Sequence, residues 1–299
     1  MANSITLAQQ FVPILDEVYK NASLTSKLDG NPDLVRAGAN ANELIIPKLD
    51  MQGLGDYDRN GGYVQGDVTL TNETVQCNFD RGRMFVVDTI DNQETANIAF
   101  GRLAGEFIRT KVVPELDAFR FASYAGVTGI SKVAAGATLS TGADVIAALR
   151  AATNKMDEDE VPTEDRHLFI TPTLNGLIED MDTTKSREVM SRFASVTLVP
   201  QTRFYTAIDQ KSGKIVTSGQ TSVDETAGGF VKAATGKDIN FMIIHKPAVI
   251  QFSKHIAPKI VSPDINQDAD AYKFGYRHVA IADAYENKVA GIYLHHKAS

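Results

Sequence analysis

Between Leu44 and Val87 the chain reads as strand, long turn and strand on a scale that a self-contained domain rarely uses. Leu44-Ile45-Ile46-Pro47-Lys48-Leu49 has strand character, and Gly53, Gly55, Asp58, Asn60, Gly61, Gly62 and Gly66 then crowd into one turn region. Strand character resumes through Val68, Leu70, Val75, Cys77 and Phe79 and again from Met84 to Val87. The pattern predicts one long hairpin with few bulky apolar residues at its end. A hairpin without a packed face is marginally stable in water, so this one needs a covering surface, most simply another subunit.

On either side the elements are more ordinary. Leu7, Ala8, Phe11, Val12, Leu15, Val18 and Tyr19 keep helical spacing, interrupted by Pro13, which suggests a short broken helix or an arm. Asp91 and Glu94 have capping-box spacing and open a long helix through Phe100, Leu103, Phe107, Leu116 and Phe119 to about Tyr124. Some thirty residues at about 1.5 Å each make a rod of roughly 45 Å, which Pro114 should kink; Gly126 and Gly129 close it. Val145 to Met156 is a second helix and Leu174 to Met181 a third. Strands are expected at Leu168–Ile170, Val196–Pro200, Phe241–Ile244, Ala248–Phe252, His278–Ala282 and Val289–Leu294. The Gly-, Ser- and Thr-rich stretch 209–229 is the expected mobile loop. The fold class is α+β.

Chemistry is thinly represented. Lys and Arg total 30 and Asp and Glu 37, a formal charge of −7, which argues against affinity built on phosphate neutralisation. Cys77 is the one cysteine, so an intrachain disulfide or thiolate zinc cluster is excluded; its alternating neighbourhood makes it a small hydrophobe on a packed strand face. No apolar run approaches membrane-spanning length, and no basic-then-apolar leader is visible. There is no Gly-x-Ser-x-Gly elbow or dinucleotide fingerprint, and Gly236-Lys237-Asp238 lacks the Ser or Thr of a phosphate loop. We expect no enzyme, no catalytic residue and no cofactor. The acids at 157–160, 164 and 165 read as a solvated face, and His295 and His296 as exposed terminal histidines.

One local pattern has metal-ligand spacing. Asp56, Asp58, Asn60 and Asp67 stand at positions one, three, five and twelve of a calcium loop, with Gly61 at six. Position twelve is Asp rather than Glu and strands flank the loop, so a polar hairpin tip is the better reading.

The order of elements resembles that of tailed-bacteriophage major capsid proteins of the Hong Kong 97-type fold. The resemblance is carried by Ile46-Pro47 leading through Gly55-Asp56-Tyr57 and Phe85-Val86-Val87-Asp88 to Ile90-Asp91-Asn92-Gln93. Asp117 within the long helix, Val161-Pro162 with Arg166 and Leu168 to Pro172, and the final pair Val279 to Ala282 and Val289 to Tyr293 also carry it. It implies an N-terminal arm (1–45), an extended loop (46–86), a peripheral domain with a spine helix (87–129 and 247–275) and a mixed α/β axial domain (130–246 and 276–299). It further implies self-assembly into pentamers and hexamers that form an icosahedral virion shell around double-stranded DNA, made in the bacterial host cytoplasm without membrane contact. A separate scaffolding protein, a portal protein and a decoration protein would be partners, with no large maturation cleavage. Asp56, Asp58 and Arg59 at the tip, and Arg81 and Arg83 in the return strand, are the expected intersubunit charge contacts. Two alternatives stand beside this reading: an encapsulin-like bacterial compartment, and a calcium-binding surface module built on Asp56 to Asp67.

Overall fold

The computed structural model of the chain describes residues 23–30, 36–37, 43–90, 98–181, 183–218 and 221–298. The broken helix of residues 7–19 and the capping box at Asp91 and Glu94 lie outside the described residues.

The hairpin forms. β1 (Arg36–Ala37), β2 (Glu43–Met51) and β3 (Val68–Gln76) make an antiparallel sheet in that order. β1 pairs only with Leu44 and Ile45, so Pro47 lies beyond its reach on an edge where no donor is needed. Leu49 pairs with Leu70 and Met51 with Val68; directly paired residues share a face, and all four are more than half exposed. The tip adds exposed Leu54, Tyr57, Tyr63 and Val64, so it is richer in bulky apolar residues than the sequence reading expected. Near the base, Val75 is buried against Ile250 and Ile281, and Lys48 Nζ donates to Glu286 at 2.8 Å.

β4 (Phe79–Asp88) does not continue the hairpin. The Asn78 side chain donates to the Ala282 carbonyl at 2.8 Å and accepts from the Ala282 amide at 3.1 Å, and from there the chain enters a second sheet. The hairpin sheet therefore ends at Gln76, short of residue 86. Cys77 sits half-buried at this junction, where burial pushes its thiol pKa up.

The long helix is interrupted as Pro114 requires. α1 (Ile98–Phe107) passes through a π turn (Ile108–Val112) into α2 (Val113–Gly126), and the Val113 amide donates to the Ile108 carbonyl, five residues back. A proline ring collides with the carbonyl four residues before it; one wide turn makes room while the helix continues.

The remaining elements are β5 (Ser131–Lys132), α3 (Gly142–Glu158), β6 (Arg166–Ile170), α4 (Pro172–Glu179), α5 (Thr184–Met190) and β7 (Ser195–Leu198). After them come β8 (Ile208–Gln210), β9 (Ile215–Ser218), β10 (Thr221–Asp224), β11 (Phe230–Lys232), β12 (Ile239–His245), β13 (Val249–Val261), β14 (Ala271–Ala284) and β15 (Ile292–His296). The expected mobile loop 209–229 is instead built around two strand pairs, β8 with β11 and β9 with β10.

Two sheets carry the body. One is five-stranded and mixed, in the order β5-β15-β12-β6-β7. Alternate residues of β12 serve opposite layers: Phe241 and Ile243 pack with Val145, Leu149 and Met156 of α3, while Met242 and Ile244 join a core with Phe121 and Tyr124 of α2. A Thr141–Asp144 capping box starts α3. The other sheet has the order β13-β14-β4 and carries α1 and α2, with Phe85 against Phe107 at 4.8 Å and Phe79 against Phe119 at 5.0 Å. β14 is one continuous strand through residues 275 and 276, where the sequence reading had divided peripheral from axial domain. No helix among the described residues is long and apolar enough to cross a membrane.

Candidate interaction surfaces

The hairpin tip does not assemble a cation site. Asp58 and Gly62 exchange backbone hydrogen bonds at 3.3 and 2.7 Å, and Asp58 Oδ1 accepts from the Asn60 amide at 3.0 Å, so this carboxylate stabilises its own turn. The Asp67 amide donates to Gln52 Oε1 at 3.3 Å. Among the described residues no group of three or more His, Cys, Asp or Glu is gathered as a metal site requires. Asp56, Asp58 and Arg59 are exposed on the tip, where Tyr57 and Tyr63 meet edge to face, 4.9 Å apart.

Arg81 and Arg83 stand elsewhere, on β4, and both have partners inside the chain. Arg81 Nε lies 2.7 Å from Glu115 of α2, and its Nη2 donates to the Gly229 carbonyl at 3.2 Å. Arg83 donates to the Ala227 and Thr226 carbonyls at 3.1 and 2.8 Å. Three carbonyls of the 208–232 segment thus converge on two guanidinium groups and hold that segment across β4 as a strap. Gly228 permits the approach: its φ is +66° and a Cβ there would meet Arg83 Nη1 at 2.7 Å. Burial raises the Glu115 carboxyl pKa and Arg81 opposes it. The Gly228-Gly229 pair was the sequence signal for this docking, and composition alone turned it into a mobile loop.

Strap, β4 and helix line a groove of about 810 Å³ whose lining combines Phe85, Leu103 and Phe107 with Glu106, Lys111 and Glu115.

A third arrangement fastens residues 23–30. Asp117 is fully buried on α2 and accepts from Ser23 Oγ at 2.9 Å, Thr25 Oγ1 at 2.8 Å and the Leu24 amide at 3.1 Å, with Arg203 Nη1 at 3.4 Å. Arg120 donates to Thr25 Oγ1 at 2.7 Å. Gln251 donates to the Thr25 carbonyl and to Asp29, and accepts from Tyr124 Oη at 2.7 Å. A buried carboxylate persists only when donors replace its water, and here all of them but Arg203 come from the segment being held. The sequence singled out Asp117 by resemblance, without its partners.

Two expectations need correction. His295 and His296 are buried: His295 stacks on Phe241 at 4.8 Å and its Nδ1 lies 3.0 Å from Asn240 Nδ2, because the apolar run before them is an inner strand of the sheet. The acid run is not wholly a solvated face, since Asp157 lies 2.7 Å from Arg166, which is buried, and 3.5 Å from Arg192.

Solved structures share this arrangement of sheets, helix and hairpin. The chain is similar to a structure of Gordonia phage Cozz (TM-score 0.59, 11% identity, 93% of this chain and 87% of that one). It is also similar to the capsid of Myoviridae phage XM1 (TM-score 0.54, 13% identity, 92% and 90%) and to a virus-like particle from Pyrococcus furiosus (TM-score 0.53, 9% identity, 93% and 98%). No family model matches the chain, and no curated protein does. At such identities the likeness is one of fold: this chain has the fold of phage capsid structures.

Proposed function

We propose that this chain is the major capsid protein of a tailed bacteriophage, assembling into pentamers and hexamers that close an icosahedral head around double-stranded DNA. The observation that carries the reading is the uncovered hairpin face of Leu49, Met51, Val68 and Leu70, projecting from a body with a phage-capsid fold. A contiguous exposed apolar surface of this kind calls for a partner, and identical subunits supply one when heterologous contacts close by rotation. The β13-β14-β4 sheet with its helix serves as peripheral domain and the five-stranded sheet as axial domain. Net charge −7 suits a wall that confines DNA without gripping its phosphates. Scaffolding, portal and decoration proteins are separate chains in this reading, the virion is the final location, assembly takes place in the host cytoplasm, and the role is structural rather than catalytic. The scattered tip acids give the calcium-module alternative no support.

Electron microscopy of the protein expressed with its neighbouring genes tests the proposal. Closed shells of uniform size are the expected result; a chain that stays monomeric under those conditions overturns it.

A further inference from the structure

We infer that Asn60-Gly61 at the hairpin tip is a self-modifying site, at which the chain converts an asparagine amide to aspartate and isoaspartate with water as the only co-reactant. The inference stands apart from the shell reading, because it concerns the chemistry of the free tip alone.

Two Asn-Gly pairs occur in the chain, Asn60-Gly61 and Asn175-Gly176, and the structure gives them opposite surroundings. The reaction requires the nitrogen of the following residue to reach the carbonyl carbon of the asparagine side chain. Glycine permits this best, because no Cβ shields its nitrogen. At the tip, Arg59, Asn60 and Gly61 form a loop between Asp58 and Gly62, whose backbones are bonded to each other. Asp58 Oδ1 takes the Asn60 amide at 3.0 Å. The Asn60 side chain and the Gly61 N–H have no hydrogen-bond partner among the described residues, and both residues are exposed. Asn175 is held otherwise. It lies inside α4, where its amide donates to the Thr171 carbonyl at 3.1 Å and its side chain to Glu179 Oε1 at 2.7 Å. Helical geometry commits the Gly176 N–H to the carbonyl four residues back. Asp29-Gly30, an Asp-Gly pair capable of the same ring closure, is blocked as well. The Gly30 amide donates to the Gln251 carbonyl at 2.9 Å, and Asp29 Oδ1 accepts from Gln251 Nε2 at 2.8 Å.

In the first step Gly61 N bonds to Asn60 Cγ, the Cγ–Nδ2 bond breaks, and the side-chain nitrogen leaves as ammonia carrying the Gly61 amide proton. Water then opens the cyclic imide. Cleavage between Gly61 N and Cγ leaves aspartate. Cleavage between Gly61 N and the Asn60 carbonyl carbon leaves isoaspartate, with the main chain rerouted through Cβ. Nothing is oxidised or reduced. Either product adds a negative charge to a tip that already sets Asp56, Asp58 and Asp67 against Arg59, and isoaspartate also lengthens the loop backbone by a methylene.

The test incubates the full-length chain, purified alone as subunits, in mildly alkaline buffer, cleaves it at glutamates and weighs the peptides by mass spectrometry. The peptide containing Asn60 should give two products of equal mass, separable by chromatography and heavier than the parent by an amide-to-acid exchange. Asn60 should convert about tenfold or more faster than Asn175, because α4 must open before Gly176 can attack. Equal rates, or an unchanged Asn60, overturn the inference. In denaturant both pairs are free and Asn175 should catch up; if it stays unreactive there, the fold is not what separates the two sites and the argument fails. Asn60→Gln should lose the tip products, and their persistence in that variant would place the reaction at another residue and refute the assignment.

Discussion

Ile243 in β12 and Leu49 in β2 are both aliphatic residues in the middle of well-paired strands. Ile243 is 0% exposed and Leu49 is 52% exposed. All seven residues of β12 are buried, whereas β3, the hairpin's other long strand, buries only Val75. Both residues pair with a neighbouring strand, Ile243 on two sides and Leu49 on one, so the exposure of the side chain has to come from what covers each face. The difference is that β12 has a layer on each face and the hairpin ends in air. Strand formation and strand stabilisation are thus distinct problems, and for the hairpin face the described chain solves only the first.

Three experiments probe that contrast. Ile243→Ala should cost the isolated subunit about 2–5 kcal/mol, the usual range for a large-to-small change in a packed core; denaturant unfolding measures it, and a loss under about 1 kcal/mol would deny β12 its central place. Acid should act next, and on the body alone. Burial holds His278 and His295 neutral, with pKa values drawn from 6.5 to about 3 and about 4. The unfolded chain takes up protons on these rings below about pH 6.5 and the folded chain does not, so stability is complete above that pH and falls as pH drops towards 4. By pH 5 each ring accounts for roughly 2 kcal/mol. Subunit melting temperatures between pH 8 and 5 should record the decline, His295→Gln should make it shallower, and an unchanged slope would show that His295 is not its source. The smallest effect on the subunit is expected from Leu49→Ser with Leu70→Ser, within about 0.5 kcal/mol, although the same variant should fail to form shells. A large drop in its melting temperature would mean that the hairpin face is covered within the chain.

The hairpin and the inner strands were legible because their signals are local: turn residues crowd at Gly53 to Gly66, and runs such as Phe241–Ile244 have no other use. β13 and β14 were half missed, since His255, Lys259 and Arg277 interrupt the apolar pattern wherever the sheet meets solvent. The roles of Arg81 and Arg83 were illegible for another reason. Apart from Glu115, which meets Arg81, their partners lie 143 to 148 residues away, and those partners are backbone carbonyls, which every residue possesses and no side-chain pattern marks. The Asp117 clamp is similar: its donors at Ser23 and Thr25 are 92 to 94 residues distant.

The π turn at Ile108–Val112 also sets a rule for how this gene can vary. Each residue of an α-helix turns its successor by about 100°, so a one-codon deletion here would swing α1 round relative to α2. Phe107 would lose Phe85, or Phe121 would lose Phe169 and Phe204. Point substitutions on the outer side of this stretch, such as at Arg109, should therefore be tolerated in natural variation, while single-codon insertions and deletions should be purged from it.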